Sequence, residues 1–180
     1  MRKTLKATLG AAVLCLFVGQ AQAGLMTIEL DTEFSGATAP AGATPWVTIT
    51  LDDTVGVDQV AVTIAATGLV GTEFISQVYL NSSTPASVTF TDIAAVDSNI
   101  AVSQGTDAFK ADGDGFFDIL FDFPPPPGSG SSRLTAGESV TVTFSATGLD
   151  VSSFDLTNTG GTGLQAAAHV QSIGATGDDS

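Results

Sequence analysis

Between residues 24 and 173 the chain alternates apolar and polar residues at every second position, in one short run after another. This alternation limits the available folds more than any other feature. A period of two belongs to a pleated strand with one buried face, and a helix cannot bury such a set on one side. In 45–53, Val47, Ile49 and Leu51 fall on one face, with Trp46, Thr48 and Thr50 on the other. Val60, Val62 and Ile64 form the next apolar set. Phe74, Val78 and Leu80 follow, with Tyr79 opposite them. Val88 and Phe90 mark a further strand. Phe117, Ile119, Phe121 and Phe123 share a face of the strand that carries Asp118 and Asp122 on its other side. Val140, Val142 and Phe144 come next, and 166–173 supplies the last run. Gly, Pro, Asp and Asn bound these runs, as turn residues do. Apart from one helical turn over 150–156, where Asp150 and Ser152 are N-cap types, no stretch carries a helical period. The expectation is an all-β, two-layer antiparallel β-sandwich, jelly-roll-like, with about eight or nine short strands.

The first 23 residues do not belong to this pattern. Arg2, Lys3 and Lys6 precede an apolar run over 7–18, and Ala21 and Ala23 form the A-x-A pattern that a signal peptidase reads. A cleaved secretory signal peptide over 1–23 is expected, with export of a single domain over 24–180. The run is too short for a comfortable membrane span, and no second apolar segment follows in the chain as given. Cys15, the single cysteine, lies inside the leader, behind Leu14 where an acylated cysteine would want a small residue. The mature chain therefore offers no disulfide, no thiolate nucleophile and no cysteine metal ligand, and must hold itself together by its core.

Removing the leader also sharpens the charge. The whole chain stands at −14, but the leader holds three basic residues and no acid. Lys110 and Arg133 then remain against 19 acids, a net charge of −17. Such a polyanion repels phosphate backbones and anionic lipid, so nucleic acid is excluded as a partner. A hydrophobic content of 43% separates it from disordered acidic tails. The four prolines at 124–127 cannot donate to a ladder, so 124–132 reads as a Pro/Gly/Ser loop.

One echo crosses the domain. Val62-Thr63-Ile64-Ala65-Ala66-Thr67-Gly68-Leu69, then Phe74, recurs as Val142-Thr143-Phe144-Ser145-Ala146-Thr147-Gly148-Leu149, then Phe154. The two copies either occupy equivalent places in a pseudo-symmetric sandwich or resemble each other by strand composition alone.

Candidate chemistry is sparse. In Asp112-Gly113-Asp114-Gly115, with Asp118 beyond, alternating carboxylates in a glycine turn can converge on Ca²⁺. Against an EF-hand loop, Lys110 stands where the first carboxylate belongs and Phe121 where the bidentate acid belongs. A plain tight turn is the simpler reading. Asp52, Asp53 and Asp97 are acids at strand ends or in loops, as on any solvated rim. His169, the single histidine, sits in a strand pattern without a G-x-S-x-G elbow anywhere, and reads as structural. The run 160–163 is glycine-rich but lacks the lysine and helix of a phosphate loop. Trp46 and Tyr79, each opposite its strand's apolar set, could form a sugar-stacking platform or cap the core edge.

The series Pro45-Trp46-Val47-Thr48, Gly71-Thr72-Glu73-Phe74-Ile75, Val78-Tyr79-Leu80-Asn81, 107–124, Thr135-Ala136-Gly137-Glu138-Ser139-Val140 and Ala168-His169-Val170-Gln171 resembles exported bacterial proteins of the PEP-CTERM type. The resemblance runs in order over nearly all of the mature chain. It implies export by a signal peptide and delivery to the cell surface or matrix through exosortase processing of a C-terminal Pro-Glu-Pro, apolar helix and basic cluster. This chain ends at 177–180 without that motif. The resemblance implies no catalytic residues.

The expected function is that of an exported, non-catalytic surface or extracellular-matrix sandwich, of the kind found in biofilms. Ca²⁺ at Asp112, Asp114 and Asp118 would stabilise it or bridge it to other surfaces. Its partners would be extracellular polysaccharide or other surface proteins, besides the export machinery. The alternative is a carbohydrate-binding module built on Trp46 and Tyr79. A secreted hydrolase using His169 is the remote one.

Overall fold

The computed structural model describes residues 24–84, 87–92, 100–123 and 133–174. The expected signal peptide with Cys15, the expected loop at 124–132, Asp97 and residues 175–180 lie outside the described residues, as do the side chains of Val88 and Phe90.

The strands in chain order are β1 (Leu25–Leu30), β2 (Val47–Asp52), β3 (Gln59–Ala65), β4 (Phe74–Leu80), β5 (Ser87–Asp92), β6 (Ala101–Lys110), β7 (Phe116–Asp122), β8 (Leu134–Thr135), β9 (Ser139–Ser145) and β10 (Ala166–Gln171). They form two antiparallel sheets, a β-sandwich. The first has the order β1-β2-β3-β9-β5 and the second β10-β4-β7-β6, with β8 added beside β4. The chain crosses between sheets from β3 to β4, β4 to β5 and β5 to β6. It then returns through β9, which inserts between β3 and β5 in the jelly-roll manner. The one helical turn, Val151–Phe154, is 3-10. Asp150 caps it, accepting from Ser153 N at 3.2 Å, while Asp150 N donates to Ser153 Oγ.

The alternation delivers the core. Val47, Ile49, Leu51, Val60, Val62, Ile64, Val78, Leu80, Ile119, Phe121, Phe123, Val140, Val142 and Phe144 are all buried in one cluster between the sheets. Two aromatic positions depart from it. Phe74 does not join Val78 and Leu80. The pairing of β4 with β10 runs His169↔Gln77 and then Val170↔Ile75, so Ser76 is an extra residue and the phase flips there. Ile75 takes the core place, and Phe74 turns out beneath the Arg133 guanidinium, 4.1 Å from the ring centroid. Phe117 leaves the set of Ile119, Phe121 and Phe123 and packs in a second cluster with Tyr79, Ala111 and Ala167. Its partner strand explains this: β6 slips against β7 between Gln104 and Phe109, so the ladder is irregular opposite Asp118.

The echo has a geometric meaning. β3 and β9 are direct neighbours, with Val62 opposite Val142. A local two-fold through that pair carries each residue of β3 onto the one 80 places later in β9. Leu69 and Leu149 both return to the core. The correspondence ends at the bulge, because Phe154 is buried in the core and Phe74 faces out.

Candidate functional site

Among the described residues, β1 and β10 are each the edge strand of their own sheet, and they meet along one side of the sandwich. A cleft of about 950 Å³ opens there, lined by both edges, the 31–40 loop and outward residues of β4. Phe34, Trp46 and Tyr79 all border it, with Gln77, Asp112 and His169.

Each aromatic ring is placed by a local device. The Glu33 carboxylate accepts from Ser35 N at 2.6 Å and from Gly36 N at 3.1 Å, tying a turn around Phe34. The Ser35 hydroxyl bonded to it, with these backbone N–H groups, holds the Glu33 carboxyl below the usual range. Trp46 donates its indole N–H to Gly42 O at 3.0 Å. Its segment is pressed against the turn after β3, where Gly68 N donates to Trp46 O. A Cβ on Gly68 would stand 2.0 Å from Ala43 O, so only glycine permits the approach. Buried Glu73 completes the attachment, accepting from Ala41 N at 2.8 Å and Val70 N at 2.9 Å. Tyr79 donates its hydroxyl to Gln77 Oε1 at 2.6 Å and lays its ring 5.7 Å from Phe117. Burial, and then the Asp122 charge, push the Tyr79 phenol up from its ordinary value, so it stays a neutral donor.

The structure therefore brings Trp46 and Tyr79 to one cleft, but not as a bare platform. Tyr79 is only 8% exposed and forms floor, while Trp46 is half-buried against the core edge. The open ring is Phe34, at 38% exposure. Sequence reasoning passed over Phe34 because its loop has no period. The available signal was a lone Phe in the polar run Asp31-Thr32-Glu33-Phe34-Ser35-Gly36.

Glu73 gives a direct check on how the cleft wall is held. Glu73→Gln puts a donor in place of one of the carboxylate oxygens that accept from Ala41 N and Val70 N, and is expected to cost about 1–3 kcal/mol. Urea unfolding followed by the fluorescence of Trp46 measures it. A loss under about 0.5 kcal/mol would show that the attachment contributes nothing to stability.

The acids singled out in the 112–118 segment go separate ways. Asp112 is exposed, at positive φ, on the rim of the cleft. Asp114 Oδ2 accepts from the Thr162 hydroxyl at 2.8 Å. Asp118 accepts from Asp107 N at 2.8 Å and Ser82 N at 3.2 Å, which ties the slipped part of β6 to the end of β4. Among the described residues, no three acids or His169 gather closely enough to hold a metal ion. The glycine turn docks instead on the 158–164 loop. Asn158 Nδ2 donates to Asp114 O, and Asn158 Oδ1 accepts from Gly163 N and Leu164 N. Phe116 and Thr159 exchange both backbone bonds. The glycines at 160–163 thus serve this closure.

His169 is exposed on β10, with Nδ1 3.1 Å from Ser76 Oγ. The same hydroxyl lies 3.1 Å from His169 O, so its proton has a backbone acceptor. Among the described residues no acid bonds the other ring nitrogen, which a nucleophile–base pair would need for orientation. Compared with protein-family models, with curated proteins and with solved structures, the chain matches none.

Proposed function

We propose that this chain is an exported, non-catalytic module of the bacterial surface or extracellular matrix that holds an extended polysaccharide in the cleft between β1 and β10. The observation that carries this reading is the meeting of Phe34, Trp46 and Tyr79 along one open groove. Sugar rings present apolar faces edged by hydroxyls, and an aromatic ring with nearby amide and carboxylate groups suits both. Gln77 and Gln165 supply amides, and the exposed Glu29 and Asp112 supply acceptors. The Ser76–His169 contact lacks an orienting acid among the described residues, which favours binding over turnover.

Two strand edges, the 31–40 loop and the outward face of β4 build the groove, so its occupant is extended rather than compact. Neutral or cation-bridged polymers fit a chain that stands at −17 without its leader. A panel of immobilised polysaccharides tests the reading. One is expected to retain the wild type, and Phe34→Ala is expected to weaken that retention about tenfold, as the loss of one stacked ring should. Retention unchanged in both Phe34→Ala and Trp46→Ala would remove the cleft from the reading.

A further inference from the structure

We propose that Asp53 is a receptor for a new N-terminus, the α-ammonium created on Gly24 when the Ala23–Gly24 bond is hydrolysed. The inference rests on the export reading, which places cleavage before Gly24. Gly24 N already donates to Asp53 Oδ1, and Asp53 N returns a bond to Gly24 O at 3.2 Å. The other carboxylate oxygen, Oδ2, accepts from Val151 N at 3.3 Å, at the start of the 3-10 turn. One part-buried carboxylate thus joins the beginning of β1, the end of β2 and the turn that seats Phe154 in the core.

In the uncut chain Gly24 N is an amide with a single hydrogen. In the cleavage the C–N bond breaks, water oxygen adds to the Ala23 carbonyl carbon, and Ala23 leaves as a carboxylate. The nitrogen gains the protons and becomes an ammonium with three. A charge-assisted bond is roughly twice as strong as a neutral one. The surroundings ask for that charge. Asp58 and Asp150 line the same end of the sandwich as Asp53. The basic side chains Lys110 and Arg133 lie elsewhere, over the rings of Phe116 and Phe74. Removal of the leader therefore locks β1, a strand whose ladder among the described residues is with β2 and which forms one wall of the cleft.

The sign of the pH dependence follows. The Asp53 carboxylate bonded to it would hold the folded amine above the ordinary α-amino range of about 7.7–8.0. The stabilisation is full below that range and fades as pH rises through the folded value.

The test compares the chain beginning at Gly24 with the same chain acetylated on that nitrogen, which keeps the N–H and removes the charge. Acetylation at about pH 6.5 reaches the α-amine ahead of Lys110. The acetyl group is expected to lower Tm by about 2–4 °C in wild type and to have no effect in Asp53→Asn. Equal shifts in both backgrounds, or none in wild type, overturn the lock. If Asp53→Asn does not fold, the pH dependence of the acetylation rate in wild type decides, because an amine at or below the ordinary range overturns it equally. Sequencing the N-terminus of the exported chain separates the two claims. A start other than Gly24 removes the cleavage point and the proposal together, whereas a Gly24 start without an acetyl effect removes the lock alone.

Discussion

Truncation of Phe144 to alanine is expected to remove about 3–5 kcal/mol of unfolding free energy, the largest effect of any single side chain in the core. Phe144 lies on β9, opposite Val60 of β3 and Val88 of β5, and is fully buried. Its ring meets Phe121 of the facing sheet edge-on, with centroids 5.9 Å apart and planes at 68°. It meets Phe154 of the 3-10 turn at 5.6 Å and 75°. One side chain therefore ties both sheets and the turn. Each edge-on pair adds about 0.5–1.5 kcal/mol beyond its buried area. The cavity left behind cannot collapse easily, because the strands on either side of β9 are fixed by their ladders. Phe144→Leu keeps most of the volume and should cost less than half as much. Phe34→Ala, on the exposed loop, should stay within about 0.5 kcal/mol. Urea unfolding followed by circular dichroism and Trp46 fluorescence ranks the three. A Phe144→Ala loss below about 1 kcal/mol would mean that the aromatic triad is not the centre of the core.

The inner faces of β2, β3 and β9, and of β7 beyond Asp118, were readable because a period of two survives wherever the ladder is regular. Val47, Ile49 and Leu51 needed no knowledge of their partners. Phe74 and Phe117 did. The phase of a strand changes at a bulge, and the bulges at Ser76 and opposite Asp118 arise from how β10 and β6 pair with their neighbours. Asp150 was legible as a cap because an N-cap is a local contact. The echo has its meaning in the adjacency of β3 and β9, which no local pattern encodes. The cleft was least legible of all. It exists because β1 and β10, far apart in the chain, are both edge strands on one side among the described residues. Trp46 and Tyr79 could be picked out by their polar handles, but their cover could not. Tyr79 is closed in by Ala167, Phe117 and Leu164, which come from distant segments.

Replacement of Asn158 by alanine is expected to be the most damaging polar substitution, at about 2–4 kcal/mol. Asn158 is 6% exposed. Its side chain donates to Asp114 O and accepts from Gly163 N at 3.1 Å and Leu164 N at 2.9 Å, so alanine strands one carbonyl and two N–H groups. A Cβ on Gly115, itself at φ +85, would stand 2.6 Å from Asn158 Nδ2 and 2.7 Å from Gly161 N. The Asp-Gly-Asp-Gly turn thus owes its glycines to the close approach of the 158–164 loop. This separates a clasp from a calcium loop. If a cation closed the turn, millimolar Ca²⁺ should restore the Tm lost in Asn158→Ala, through binding to the native state alone. If the amide closes it, Ca²⁺ should restore nothing, and Gly115→Ala should be as damaging as the loss of Asn158. The second outcome is expected, because the Asp114 and Asp118 carboxylates are already bonded to Thr162, Asp107 and Ser82. Recovery of more than half the lost Tm on adding Ca²⁺, reversed by a chelator, would return the segment to the metal reading.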